Sequence, residues 1–212
     1  MRKLHRGAAP TCLAVFRHGQ HNWRDITPAL KAAIWTELDA MQIQRCAYCE
    51  ADIGNGKKHI EHFRQKGRDP TGTFLWSNLF GSCNREDCCG KHKDRCAVYP
   101  PGDLVKADVD NPELYFVFAP NGSVSPRNGL SPTDRHRATE TIRIFNLNGV
   151  LRQIRSREVA PYLQTAETFA EIAAEFPETD WMPLLQQELS DTAHLPFATA
   201  IKHVLTRQSS QT

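Results

Sequence analysis

Cys46-Ala47-Tyr48-Cys49 opens a segment that closes with Cys83 and Cys88-Cys89-Gly90. Two residues between the first cysteines let both thiolates reach one tetrahedral ion at about 2.3 Å, with backbone amides turned toward the sulfurs. A lone Cys-x-x-Cys carries little weight. With a second pair downstream, the set has the composition of a structural four-thiolate zinc site. Cys83 is one member of that second pair, and Cys88 or Cys89 is the other. Cys89 is favoured, because Gly90 behind it permits a tight turn into a helix beginning near Lys91. Cys12, Cys88 and Cys96 then read as unliganded thiols.

The residues around the cysteines explain why a metal is needed. Gly54-Asn55-Gly56, Pro70-Thr71-Gly72 and Gly81 break the stretch from Cys46 to Asp94 into short segments without the apolar mass of an independent core. A bound ion would compensate. Seven cysteines, an odd number with all but Cys12 lying between Cys46 and Cys96, favour a local metal site over a disulfide framework. The basic start Met1-Arg2-Lys3-Leu4-His5-Arg6 is not followed by the apolar stretch of a secretory signal. No apolar run approaches the roughly 20 residues that span a bilayer. With 40% hydrophobic and 24% charged residues, a globular protein of the reducing cytoplasm is expected, with no membrane segment.

Outward from this segment the chain reads as helical on both sides. Thr27-Pro28 has the form of a cap followed by proline at the first helical position, and Leu30, Ile34, Leu38 and Met41 recur at helical spacing, so a helix is predicted over 28–44. On the far side, Leu114 to Ala119 predicts a strand, Asn121-Gly122 a hairpin turn, and Ser123-Val124-Ser125 the return. Ser131-Pro132-Thr133-Asp134 predicts a capped helix with Ala138, Ile142 and Phe145 on one face. A second stripe, Tyr162, Ala166, Phe169, Ala173 and Phe176, reads as core. The polar tail after Arg207 is expected to fray. Three regions follow: a basic segment and helix over 1–45, the cysteine-bearing unit over 46–110, and a hairpin with a helical extension over 111–212.

The net charge of +2 conceals an asymmetry. Residues 1–31 carry Arg2, Lys3, Arg6, Arg17, Arg24 and Lys31 against Asp25 alone, whereas 158–191 hold eight acids, from Glu158 to Asp191, and no lysine or arginine. The division suits a polyanion at one end and a protein partner, or a solvated helix face, at the other.

Between the cysteine pairs lie His59-Ile60-Glu61-His62-Phe63 and Trp76-Ser77-Asn78-Leu79; after them comes Lys91-His92-Lys93-Asp94. Hydrolysis of a phosphodiester near neutrality needs a base for water, a divalent ion to offset charge on the phosphate and leaving oxygen, and a frame that fixes both. His62 titrates in the right range for the base, and Glu61 offers oxygen to a hard cation such as Mg²⁺ or Mn²⁺. Asn78 both donates and accepts, and so can pin the loop without adding charge. His59 reads as a strand neighbour. Lys57, Lys58, Arg64, Lys66, Arg68, Arg85, Lys91, Lys93 and Arg95 surround these residues and are candidate phosphate contacts.

This order of cysteine pair, acid-His, Trp-x-Asn-Leu, second cysteine pair and helix resembles the HNH endonuclease superfamily over residues 46–94. The resemblance implies an α+β fold with a zinc-stapled ββα-metal core, here joined to an N-terminal helix, a β-hairpin and a helical C-terminal extension. It implies His62 as general base, Glu61 as ligand of the catalytic Mg²⁺ or Mn²⁺, and Asn78 as the residue that steadies the site. In the common pattern a further ligand directly follows the last cysteine, where this chain has Gly90. That role moves to His92, Asp94 or Asn84, with His92 ranked slightly first.

Met1-Arg2-Lys3-Leu4-His5-Arg6 with Pro10, Trp76-Ser77-Asn78-Leu79-Phe80-Gly81-Ser82-Cys83, Cys89-Gly90-x-x-Lys93-Asp94 and Ile144-Phe145-Asn146-Leu147-Asn148 are similar to the PtuB subfamily of HNH proteins. Its members occur in Septu and retron anti-phage systems. The resemblance implies a PtuA-like ABC or SMC-type ATPase as partner and, in retrons, a reverse transcriptase with its RNA-linked DNA. DNA is the expected substrate, with a structured RNA such as tRNA as the alternative. The rival is a non-catalytic zinc module that bridges nucleic acid and an ATPase. A zinc hydrolase of small molecules fits poorly, because four thiolates leave zinc no open position.

Overall fold

A computed structural model describes residues 1–54 and 56–206. The tail after Arg207 and the middle position of Gly54-Asn55-Gly56 lie outside them. The architecture is α+β, with seven α-helices and two two-stranded antiparallel sheets among the described residues.

Helix α1 (Pro28–Gln42) begins as its sequence predicts, with the Thr27 hydroxyl accepting from the Leu30 amide at N3. It buries Ile34, Leu38 and Met41 and stops at two left-handed residues, Ile43 and Gln44, two residues short of the predicted end. Its last residue joins it to the next element. The buried Gln42 amide donates to the Gly81 carbonyl at 2.9 Å and accepts from the Gly81 amide at 2.8 Å, acting as one more rung beside the strand.

That strand belongs to the cysteine-bearing unit. Strands β1 (Lys58–His62) and β2 (Leu79–Cys83) pair antiparallel, with His59 opposite Ser82, Glu61 opposite Phe80 and His62 opposite Leu79. Helix α2 (Cys89–Arg95) follows and rests on β2. All five residues of β2 are buried. Arg6 clamps the start of β2: its guanidinium donates to the Trp76 and Leu79 carbonyls at 2.7 and 3.0 Å and lies over the Trp76 and Phe80 rings. Its charge is met by Asp108 at 2.6 Å.

The rest of the chain is the hairpin and helices. Strands β3 (Phe116–Phe118) and β4 (Val124–Pro126) flank Gly122, which takes the positive φ of 75° that the turn requires. Helices α3 (Pro132–Ile144), α4 (Val150–Val159), α5 (Tyr162–Glu175), α6 (Glu178–Thr192) and α7 (Ala198–Leu205) complete it. Ser131 caps α3 by accepting from the Asp134 amide at 3.1 Å. Helix α4 places the Arg155 guanidinium in the interior, where it donates to the carbonyls of Gly122 and Leu147. Helix α7 is the most buried of these helices and ties back to the first cysteine pair, its Thr199 amide donating to Glu50 at 3.0 Å.

The stripe on α5 departs from expectation. None of its residues is fully buried: Tyr162, Ala166 and Phe169 are half-covered, Ala173 is exposed, and Phe176 just beyond the helix is 51% exposed. The helix leans chiefly on α6 and α7, which cover only part of its apolar face. No helix among the described residues is long and apolar enough to cross a membrane.

Candidate active site

The two cysteine pairs converge. Cys46, Cys49, Cys83 and Cys89 are buried, and their sulfurs all lie within 4.8 Å of one another. Sulfurs of a tetrahedral zinc thiolate site lie about 3.8 Å apart, so this quartet can hold an ion such as zinc with little contraction. Cys89 begins α2 in a left-handed conformation (φ 53°) that turns its thiol into the cluster. Cys88 is buried beside the quartet, its sulfur 3.9 Å from that of Cys83, while Cys12 and Cys96 lie elsewhere and are partly exposed. Four protein thiolates complete a zinc coordination shell, so such an ion would hold β1, β2 and α2 together and would not itself meet a substrate.

Beside this frame is a cleft of about 630 Å³ whose wall includes His59, Glu61, His62, Lys66, Asn84 and Asp94. The His62 ring is fixed on two sides. Its Nε2 lies 3.0 Å from the Thr73 carbonyl oxygen, and the Trp23 ring meets it edge-on at 4.5 Å. The carbonyl can only accept, so Nε2 carries the hydrogen and Nδ1 keeps the lone pair. Burial pushes the His62 pKa down to about 4 against the pull of that carbonyl, which makes the ring neutral at pH 7. Asn78 pins the loop beyond β1: its Oδ1 accepts from the Arg64 amide at 2.7 Å, and its Nδ2 donates to the Arg64 and Gly72 carbonyls, each at 3.0 Å.

Glu61 is the centre of a polar chain. Its Oε1 lies 2.7 Å from the Lys93 ammonium and its Oε2 lies 2.9 Å from His59 Nε2. Beyond these, His59 Nδ1 is 2.9 Å from Asn84 Oδ1, and Lys93 Nζ reaches the His62 carbonyl and Asp94 Oδ1, both at 2.9 Å. Burial would raise the Glu61 carboxyl. The His59 hydrogen bond and the Lys93 charge outweigh it and hold the group below the ordinary glutamate range, so Glu61 is a carboxylate at neutral pH. The carboxylate lies directly against Gly90. A Cβ there would overlap its Oε2, so the missing side chain at position 90 is the room that Glu61 occupies.

Several expected contacts fall differently. Lys93, expected to touch phosphate, is wholly buried, and its three ammonium protons face Glu61, Asp94 and the His62 carbonyl; it is an internal ion-pair partner. His92 is turned from the cleft, with Nδ1 2.9 Å from the Ile144 carbonyl oxygen on α3. Asp94 and Asn84 do reach the cleft wall. Of the other cations, Lys66, Arg68 and Lys91 line it, Lys57 is exposed near it, and Lys58 and Arg64 are paired with Asp39 and Asp69 at 2.8 and 2.7 Å. Arg85 and Arg95 are exposed outside the wall.

Thr73, Trp23 and the structural role of Lys93 escaped the sequence reading. A carbonyl contact leaves no side-chain signature, and Trp23 is distant in the chain. Lys93 had a signal. It stands three residues after Gly90, one helical turn on the same face, and therefore points at whatever Gly90 faces. No family model matches the chain, and no curated protein matches it.

Proposed function

We propose that this chain is a metal-dependent HNH-type endonuclease that hydrolyses phosphodiester bonds, with DNA as first substrate and a structured RNA such as tRNA as the alternative. One observation carries the reading. A neutral, buried histidine with a free Nδ1 stands next to an ionised glutamate in an open cleft, both on a short hairpin that a thiolate cluster can hold rigid. His62 Nδ1 accepts the proton of the attacking water, and the Thr73 carbonyl both orients the ring and supports the positive charge that develops on it. Asn78 keeps the loop carrying Thr73 and Arg64 in register with β1. A hard divalent ion bound through Glu61 would offset the charge on the phosphate and leaving oxygen. Lys66, Arg68 and Lys91 attract the backbone without reading sequence. A second cleft of about 700 Å³, walled by His18 to Asp25, shares Lys66 and Gly67 with the first and lengthens the groove available to a strand.

The rival, a non-catalytic zinc module, rested on Gly90 standing where a ligand is usual. The room at Gly90 is taken by Glu61, so the glycine belongs with the long carboxylate side chain and does not argue for a lost activity. The biological setting we assign from the PtuB resemblance is an anti-phage complex, with the acidic, half-covered α5 and α6 as the face for an ABC or SMC-type ATPase.

The test is His62→Ala. Removing the general base is expected to reduce Mn²⁺- or Mg²⁺-dependent cleavage by roughly 10²-fold or more, with zinc content and circular dichroism unchanged. Cleavage within about twofold of the parent, with the fold intact, would remove His62 as the base, and a zinc-loaded parent that cleaves nothing would leave the scaffold reading standing.

A further inference from the structure

The geometry points to His59, with Glu61, as the protein ligand pair of the divalent cation, and away from any ligand on α2. This inference rests on the nuclease reading for the ion's purpose, but its own grounds are the four groups around Glu61.

The space between β1 and α2 is already taken. Lys93 Nζ has an acceptor for each of its protons, namely Glu61 Oε1 at 2.7 Å and Asp94 Oδ1 and the His62 carbonyl at 2.9 Å. The side chain is wholly buried. A divalent ion shared by Glu61 Oε1 and Asp94 would take two of the three acceptors from this buried ammonium, and an unpaired buried charge is very costly. His92, the other candidate on α2, is held by the Ile144 carbonyl and does not line the cleft. Lys93 therefore acts as a permanent internal cation at the strand-to-helix junction, and one oxygen of Glu61 remains for a second cation.

That oxygen has a partner in place. The two-residue period of β1 puts His59 and Glu61 on one face, and Nε2 stands 2.9 Å from Oε2. Adjacent ligand atoms of an octahedral ion at about 2.1 Å lie about 3 Å apart, so the pair already has the separation of neighbouring ligands. The far side of the ring is arranged to match. The ion takes the place of the hydrogen between Nε2 and Glu61 Oε2, while a hydrogen on Nδ1 donates to Asn84 Oδ1 at 2.9 Å, the outer support that orients a metal-bound imidazole. His59, Glu61 and Asn84 all line the cleft, which leaves the remaining coordination positions to water and a phosphate oxygen.

The experiment titrates Mn²⁺ into the zinc-loaded full chain and follows free Mn²⁺ by electron paramagnetic resonance, with pulsed measurements of nitrogen coupling on the bound ion. The parent is expected to bind one Mn²⁺ with imidazole nitrogen coupling. His59→Ala should weaken binding at least tenfold and abolish the coupling, while His92→Ala stays within twofold of the parent. Zinc content reports folding. Should His59→Ala lose zinc, His59→Gln, which keeps most of the volume and a hydrogen-bond partner for Asn84, takes its place with the same expectation. Binding and coupling retained in the His59 variant, loss in His92→Ala instead, or no Mn²⁺ uptake by the parent each overturns the assignment. Parallel cleavage assays separate the two claims. A coupled Mn²⁺ in a parent that cleaves nothing sinks the nuclease reading and leaves the site, whereas Mn²⁺-dependent cleavage unaltered by the His59 variant sinks the site and leaves the reading.

Discussion

The unit formed by β1, β2 and α2 and the helix pair α5 and α6 are built on opposite principles. The first has elements of five, five and seven residues, too short to persist alone, yet every residue of β2 is buried. It is cross-linked by polar groups with fully assigned partners: the thiol quartet, the Gln42 rung, the Asn78 staple and the Lys93 ion pair. The second has fourteen and fifteen helical residues, the longer helix with Pro183 in its interior, and buries only Leu185 and Thr192. Order in the first comes from contacts between residues remote in the chain; order in the second comes from local helix formation and one half-covered apolar seam. Around His62 and Glu61 the chain uses cross-links in place of a large core.

The contrast can be broken first at the metal. A zinc ion held by the quartet would contribute on the order of 10 kcal/mol to folding, so a strong chelator, or Cys46→Ser with Cys49→Ser, should collapse hydrogen-exchange protection across 58–95 before α5 and α6 are affected. Uniform loss along the chain would mean that the two regions unfold as one. Next in size is Lys93→Met. Taking one partner from a buried ion pair costs about 3 kcal/mol, read as a lower urea midpoint, and a cost under about 1 kcal/mol would show that Glu61 does not depend on the ammonium. The smallest effect belongs to the other region. Phe176→Ser, on a side chain 51% exposed, should change stability by no more than about 0.5 kcal/mol. A larger loss in the isolated chain would mean that the helix pair is held more tightly than its exposure suggests.

The same contrast governs what could be read beforehand. Thr27-Pro28, Ser131 and Asn121-Gly122 are local signals, and α1, α3 and the second hairpin stand where they put them. The cysteine spacing pointed to the four thiols that lie together, but the turn expected of Gly90 is taken by Cys89 itself, at φ 53°, with Gly90 already inside α2. What failed depends on which way a side chain points. In Lys91-His92-Lys93 three basic residues run together, but each step along a helix turns by roughly 100°, so Lys91 reaches the cleft, His92 faces α3 and Lys93 turns inward. The α5 stripe failed for the converse reason. Periodicity shows that a face is apolar but not how much of it a neighbour will cover, and here the cover is partial.

Glu61 and Gly90 also constrain each other. The carboxylate occupies the volume that any side chain at position 90 would need, so an added Cβ collides with it, while a shorter acid at 61 would draw back from both Lys93 and His59. A change at either position alone forces the other side chain or its partners to shift. They form a single structural unit spread over a strand and a helix, so the reach of the acid on β1 and the bareness of the first turn of α2 are one property and not two.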